Sequence, residues 1–203
     1  MRAIPLSQLS GGPAEQALWR TTHRGVVGCS WVSCRVVRSL GEAPGVVRVR
    51  YQIHVEGELP ADALRRFLHR EYGIAPETVH IGPLDARDVD GPRPVAMLTP
   101  PDEDEGFGWI LTGDTALADA TGQGERDLAV TLARTFGVRA LVDDGSVHPD
   151  RWLLVGADGS SGRVCIDEDA AADGDLRIVH ALEPISGEPQ LAVVPPPEWA
   201  RDW

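Results

Sequence analysis

Histidines, cysteines and runs of carboxylates are the side chains with which this chain could do chemistry, and their spacing decides which chemistries are open. The six histidines are His23, His54, His69, His80, His148 and His180. None forms an H-x-x-x-H or H-E-x-x-H pair on one helix face, and there is no C-x-x-C, so no metal site is expected. Asp88-Val-Asp90-Gly91 starts like a calcium loop, but Met97 stands where that loop needs its closing glutamate. His148-Pro149-Asp150 puts two ligating side chains in one loop, which is too few.

Nucleophiles fare no better. Gly159-Ser160-Ser161-Gly162 lacks the G-x-S-x-G spacing and reads as a hairpin turn, not a strand-to-helix elbow. Cys34 and Cys165 are flanked by Val36 and Val164, in alternating patterns that hide thiols; a Cys–His pair assembled by folding stays open. Thr121-Gly-Gln-Gly124 precedes a helix, where backbone amides bind phosphate, yet Asp127 replaces the third glycine of G-x-G-x-x-G. Glu125 and Asp127 would also repel an anion there. The paired carboxylates Asp102 to Glu105, Asp143-Asp144 and Asp167 to Asp169 fall in turns, where water should keep them ordinary. No catalytic residue, metal or cofactor is expected.

All 19 basic side chains are arginine. Without lysine there can be no Walker A lysine, no Schiff base and no kinase phosphate lysine. With much Ala, Gly, Pro and Asp, this usage suggests a GC-rich bacterial origin. The formal charge is −12. It is uneven: residues 1–50 hold seven arginines against Glu15 and Glu42, whereas residues 51–203 hold 12 arginines against 29 acids. Such a field disfavours nucleic acid and anionic membranes and favours cationic partners, although acidity also serves solubility alone.

No apolar run approaches the roughly 18 residues of a membrane span. The start, MRAIPLSQLSGGPAEQ, has no signal-peptide core, so a cytoplasmic protein with reduced Cys29, Cys34 and Cys165 is expected.

The elements that must position these groups centre on Gln123–Asp144. Leu128, Leu132 and Phe136 recur at i, i+4 and i+8, acids open the helix, Arg134 sits near its end and Gly137 stops it. A buried strand over 138–142 follows. Residues 63–74 echo residues 127–138 at an offset of 64, pairing Leu64 with Leu128, Leu68 with Leu132 and Gly73 with Gly137. Either the chain is internally duplicated, or capping and amphipathicity alone dictate the likeness.

Val26–Val37 and Val46–Val55 read as a hairpin, the second strand with Val47, Val49, Tyr51, Ile53 and Val55 inward and Arg48, Arg50, Gln52, His54 and Glu56 on a solvated polar face. Short strands are predicted over 78–81, 95–98, 109–111, 152–155, 163–166, 176–179 and 191–194, with residues 113–123 as a loop. The fold class is α+β: a mostly antiparallel sheet with two main helices, two similar helix–strand units in one compact domain over 1–203. Lobes 1–98 and 107–203 joined by the acidic loop are the alternative organisation.

The segment Asp127–Ile166, with LAVTLARTFGVRALVDD, a W-x-L-V strand at Trp152 and the Asp158-Gly159 turn, resembles bacterial immunity proteins that neutralise polymorphic toxins. The resemblance covers about a fifth of the chain and implies a non-catalytic antitoxin-type protein, with no functional residue to carry over. On that reading a basic toxin or effector is the partner. Asp102, Glu103, Asp104, Glu105 and Trp109 form the first candidate surface, with Trp199 and Trp203 of the Pro195-Pro-Pro tail as aromatic anchors for a partner or a homodimer, unless that tail straps the protein's own core. The alternatives are an enzyme or ligand binder with a site between the helix–strand units near His80, His148 or Cys165, an assembly subunit, and nucleic-acid binding by the arginine-bearing N-terminal hairpin.

Overall fold

Alternation and helical periodicity resolve into one sheet with its helices. The computed structural model describes residues 50–83, 93–101 and 106–197. All of these belong to the larger of two compact units in the chain, Arg38–Trp203, the other being Met1–Val37. The predicted strand over Val26–Val37, the acidic stretch Asp102–Glu105 and the tryptophans Trp199 and Trp203 lie outside the described residues.

Eight strands are described: β1 (Tyr51–Val55), β2 (Val79–Ile81), β3 (Ala96–Thr99), β4 (Trp109–Gly113), β5 (Ala140–Asp143), β6 (Arg151–Val155), β7 (Ser161–Ile166) and β8 (Ile178–Ala181). Four α-helices accompany them: α1 (Ala61–Tyr72), α2 (Thr115–Thr121), α3 (Glu125–Phe136) and α4 (Glu168–Ala172). The strands form one sheet in the order β2-β3-β4-β1-β5-β6-β7-β8, antiparallel except for β2 against β3. The protein is therefore α+β with a mostly antiparallel sheet. β3 and β4, which flank the 102–105 stretch, pair directly in that sheet.

The main core lies between one sheet face and the long helices. Leu64, Phe67 and Leu68 of α1 and Leu128, Ala129, Leu132 and Ala133 of α3 meet Tyr51, Ile53, Val55, Val142, Leu153 and Val155. A leucine such as Leu128, fully buried, contributes about 2 kcal/mol through apolar burial. Gly73 and Gly137 end α1 and α3 in left-handed conformations at φ 69° and 67°. Phe67 joins the two helices edge-on, its ring 5.8 Å from Tyr72 and 5.5 Å from Phe136. The echoed helices thus share caps and core positions, but the strands after them do not. β2 lies at a sheet edge beside a parallel neighbour, and β5 lies at the centre between antiparallel ones.

The opposite face of β5 to β8 carries a second buried set: Leu141, Leu154, Val164, Ile166 and Ala181, with Ala171 of α4 and Ile185. Gly162 permits this close cover, because a Cβ there would lie 2.5 Å from Ile185 Cγ1.

Several expectations need correction. Residues 113–123 are not all loop: Asp114 accepts from the Ala116 amide at 2.9 Å and starts α2. The helix folds back so closely that a Cβ on Gly113 would lie 2.3 Å from Leu117 Cδ2. Residues 191–194 make an isolated parallel bridge, Ala181 with Val193, in place of a full strand. The predicted 176–179 strand is shifted to Ile178–Ala181, because Asp167 caps α4 and the chain needs residues 173–177 to turn back.

The polar face expected of β1 is solvated only in part: Arg50 is exposed and Gln52 and Glu56 are half-buried. This strand is central, between β4 and β5. His54 is only 5% exposed, its ring edge-on to Trp152 at 5.3 Å. Gln52 bonds His54 Nε2 at 3.0 Å. Glu56 pairs with Arg139, which also donates to the buried Glu188 at 3.0 Å.

Candidate functional site

Strand register gathers the chemistry-bearing residues near one end of the sheet. β4 and β5 end there, β1 and β6 begin there, and β7 ends there. Acids follow or precede these strands: Asp114 after β4, Asp143 and Asp144 at the close of β5, Asp150 before β6, and Asp167 to Asp169 after β7. Turn chemistry places them, since Asx-type side chains bond the backbone two residues on. Asp143 accepts from the Gly145 amide at 2.7 Å, Asp144 from Ser146 at 2.9 Å and Asp167 from Asp169 at 3.0 Å.

Asp144 departs from the ordinary solvated carboxylate expected of turn acids. Its side chain is 1% exposed, and Oδ2 lies 3.7 Å from Arg151 Nε and 3.8 Å from Arg163 Nε. Beside it opens a cleft of about 390 Å³ over the sheet, lined by Arg126, Asp143, Asp144, Ser161, Arg163 and Glu183, with Leu153 as its apolar floor. Arg126 Nη2 donates to Ser161 Oγ at 2.9 Å, and the Arg163 amide donates to Glu183 Oε1 at 3.1 Å. The lining mixes both signs, which suits polar contact with a charged surface and offers neither a pure anion nor a pure cation trap.

A second polar cluster sits where α3 meets β1. Glu125, first residue of α3, takes the Gln52 amide hydrogen at 2.5 Å. Burial, and next the charge of Asp143, raise its carboxyl from 4.5 to about 7, while the Gln52 hydrogen bond opposes the rise. Tyr51 donates its phenol to the Gln123 carbonyl, and Tyr72 donates to Gln123 Oε1 at 3.2 Å. The loop before α3 is thus tied to two tyrosines through Gln123.

Other reactive groups are held in unreactive states. Burial pushes the Cys165 thiol up to about 11, with the Asp150 charge adding to the rise, so it is no thiolate near neutral pH. Burial holds His54 down to about 4, partly offset by its hydrogen bond to the Phe107 backbone. Ser160 and Ser161 lie at the β6–β7 hairpin as expected; Ser160 Oγ accepts from the Gly187 amide at 2.9 Å. His80, His148 and Cys165 do not line the cleft.

Of the proposed partner surface, Trp109 opens β4 opposite Val55 and packs, partly buried, against the main core. The residues flanking Asp102–Glu105 emerge at the other end of the sheet from the acidic turns, since Thr99 pairs with Ile110 and Ala96 with Gly113. Sequence reasoning passed over Gln52, Glu125, Arg126, Arg163 and Glu183 as members of one neighbourhood. A usable signal existed for Glu125, an acid at the first position of a helix that follows a glycine loop. The arginines gave none. Comparison with protein-family models, with curated proteins and with solved structures finds no match to this chain.

Proposed function

We propose that this chain is a protein-binding protein of the immunity or antitoxin kind, which neutralises a basic toxin or effector by covering its active surface. One observation supports it most: the sheet register that draws Asp114, Asp143, Asp150 and Asp167 to Asp169 to a common end. Such convergence builds a local field that speeds encounter with a cationic partner and sets its orientation. The cations nearby are largely occupied, with Arg151 buried beside Asp144 and Arg177 on Asp175 at 2.6 Å. The −12 charge acts in the same direction.

The test is co-expression with the product of the neighbouring gene, followed by affinity measurements at low and high salt. A stable complex that weakens as salt rises is expected. Two sets of charge reversals, Asp102 to Glu105 and Asp167 to Asp169, then identify the end that docks. No complex, or a complex indifferent to salt and to both sets, overturns the proposal.

A second reading is a small polar ligand in the 390 Å³ cleft, favoured by the convergence of Arg126, Arg163, Asp144 and Ser161 on one space. It requires saturable binding that Arg163→Ala abolishes.

A further inference from the structure

Alternation along β7 sets Ser161 and Arg163, two residues apart, on one face of the sheet. Leu153 stands opposite Arg163 in the ladder and floors the cleft beside them. Arg126 reaches over from the first turn of α3 and donates to the Ser161 hydroxyl at 2.9 Å. Two features of this lining are left unfinished. Asp144 Oδ2 is buried and accepts no hydrogen bond among the described residues. Arg151 and Arg163 balance its charge from 3.7 and 3.8 Å, beyond hydrogen-bonding reach. Buried acceptors are nearly always bonded, so this one calls for a donor. The second feature is the pair Arg126 and Arg163. Both are exposed, and among the described residues neither donates a hydrogen bond to a carboxylate.

We propose that the cleft takes a small zwitterion of the amino-acid or dipeptide class, its carboxylate held between Arg126 and Arg163 and its ammonium donating to Asp144 Oδ2. The proposal rests on the reading of this cleft as a ligand site and names the ligand's chemistry. Guanidinium groups bind a carboxylate through paired, charge-assisted N–H bonds, which makes the two arginines suited to that end of the molecule. A plain anion would satisfy them but would meet Asp144 and Glu183 in the same lining, and it brings no donor for Oδ2. A plain cation would reach Asp144 only past two guanidiniums. A ligand with both charges meets both needs at once. Arg163 is the part that moves: its side chain is 51% exposed whereas Asp144 is 1% exposed. As Arg163 turns to the incoming carboxylate it uncovers Oδ2, while the buried Arg151 stays to balance the Asp144 charge. The cleft volume of about 390 Å³ falls at the small end of the roughly 300–1,000 Å³ usual for such sites. Its Leu153 floor favours an aliphatic side chain.

The experiment is a heteronuclear NMR titration of the whole chain at pH 7, following the Ser161, Gly162 and Arg163 amides. The probes are L-leucine and glycyl-leucine as zwitterions, 4-methylpentanoate as leucine without its ammonium, and isopentylamine as leucine without its carboxylate. At least one zwitterion should shift these amides saturably, and each half-molecule should bind about tenfold more weakly or worse, the loss of one charge-assisted hydrogen bond. Arg126→Ala, a change on an exposed side chain, should weaken the zwitterion by a similar factor and leave isopentylamine unaffected. Asp144→Asn should bring the zwitterion down to the level of 4-methylpentanoate; if that variant does not fold, Arg126→Ala decides. Half-molecules that bind as tightly as the zwitterions, or zwitterion binding unchanged in Arg126→Ala, overturn the proposal and leave the cleft a ligand site of another kind. No shift at these amides with any of the four probes overturns both.

Discussion

Replacing Glu125 by glutamine should alter stability in a way that depends on pH, and the size follows from two opposed titrations. The folded chain holds Glu125 at about 7 against 4.5 for an unhindered carboxyl. It therefore binds more protons than the unfolded chain between those values, and stability falls as pH rises through that window. At about 1.4 kcal/mol for each unit, the loss is at most about 3.5 kcal/mol, and any escape of the carboxyl to water lowers it. His54 works the other way. Its folded value of about 4 lies below the ordinary 6.5, so the folded chain binds fewer protons and stability rises from about pH 4 to 6.5. The two contributions are similar in size and overlap, so the natural chain should show a nearly flat profile from these groups. Glu125→Gln removes one and exposes the other. Urea unfolding at pH 4, 6 and 8 should show the variant equal to the natural protein at pH 4 and more stable at pH 8, by up to about 3.5 kcal/mol. A difference that is constant with pH, or that favours the natural chain at pH 8, refutes the assignment of a buried carboxyl at the start of α3.

Other expectations can be checked with simpler measurements. Gly113→Ala drives a methyl into Leu117 and should cost about 1–3 kcal/mol by overpacking, read as a fall in the urea midpoint. Arg139→Ala leaves the buried Glu188 without its cation; a loss of about 2–4 kcal/mol is expected, and Glu188→Gln in the same background should recover part of it. The Cys165 thiol, pushed up to about 11, should alkylate at pH 8 far more slowly in the folded chain than in urea, followed by peptide-resolved mass spectrometry; equal rates would place it in water.

The helices were legible because their signals are local. Leu64, Phe67 and Leu68, then Gly73, state a buried stripe and its end within one short stretch, and Leu128 to Gly137 repeat it. The inward residues of β1 were equally plain. What alternation could not reveal was that this strand sits at the centre of the sheet: His54 looks like part of an outer face until Trp152, nearly a hundred positions later, packs edge-on to it. The candidate site was hidden for the same reason. Asp143 and Asp144 read as a solvated turn, and only the pairing of β5 with β6 brings Arg151 against Asp144. Glu125 looked like an ordinary first-turn acid. Its environment depends on the Gln52 amide of β1 and the Asp143 charge of β5, which only folding brings beside it. Short helix α2 was missed because Thr115 to Thr121 carries one large apolar side chain, Leu117, too few for a periodic stripe, and its start is fixed by a single Asp114 cap.

The place of β1 also governs how the molecule must be made. Its described neighbours, β4 and β5, both come later in the chain, and β5 is reached only after two more helices. During synthesis the apolar ribbon Tyr51–Val55 leaves the ribosome well before either flank exists. Its described sheet partners arrive only when Trp109–Gly113 emerges on one side and Ala140–Asp143 on the other. Among the described elements, α1 is the long one made early enough to lie across that ribbon at once. A nascent chain halted before residue 140 would expose an open strand edge, the form in which a ribosome-bound chaperone would meet it.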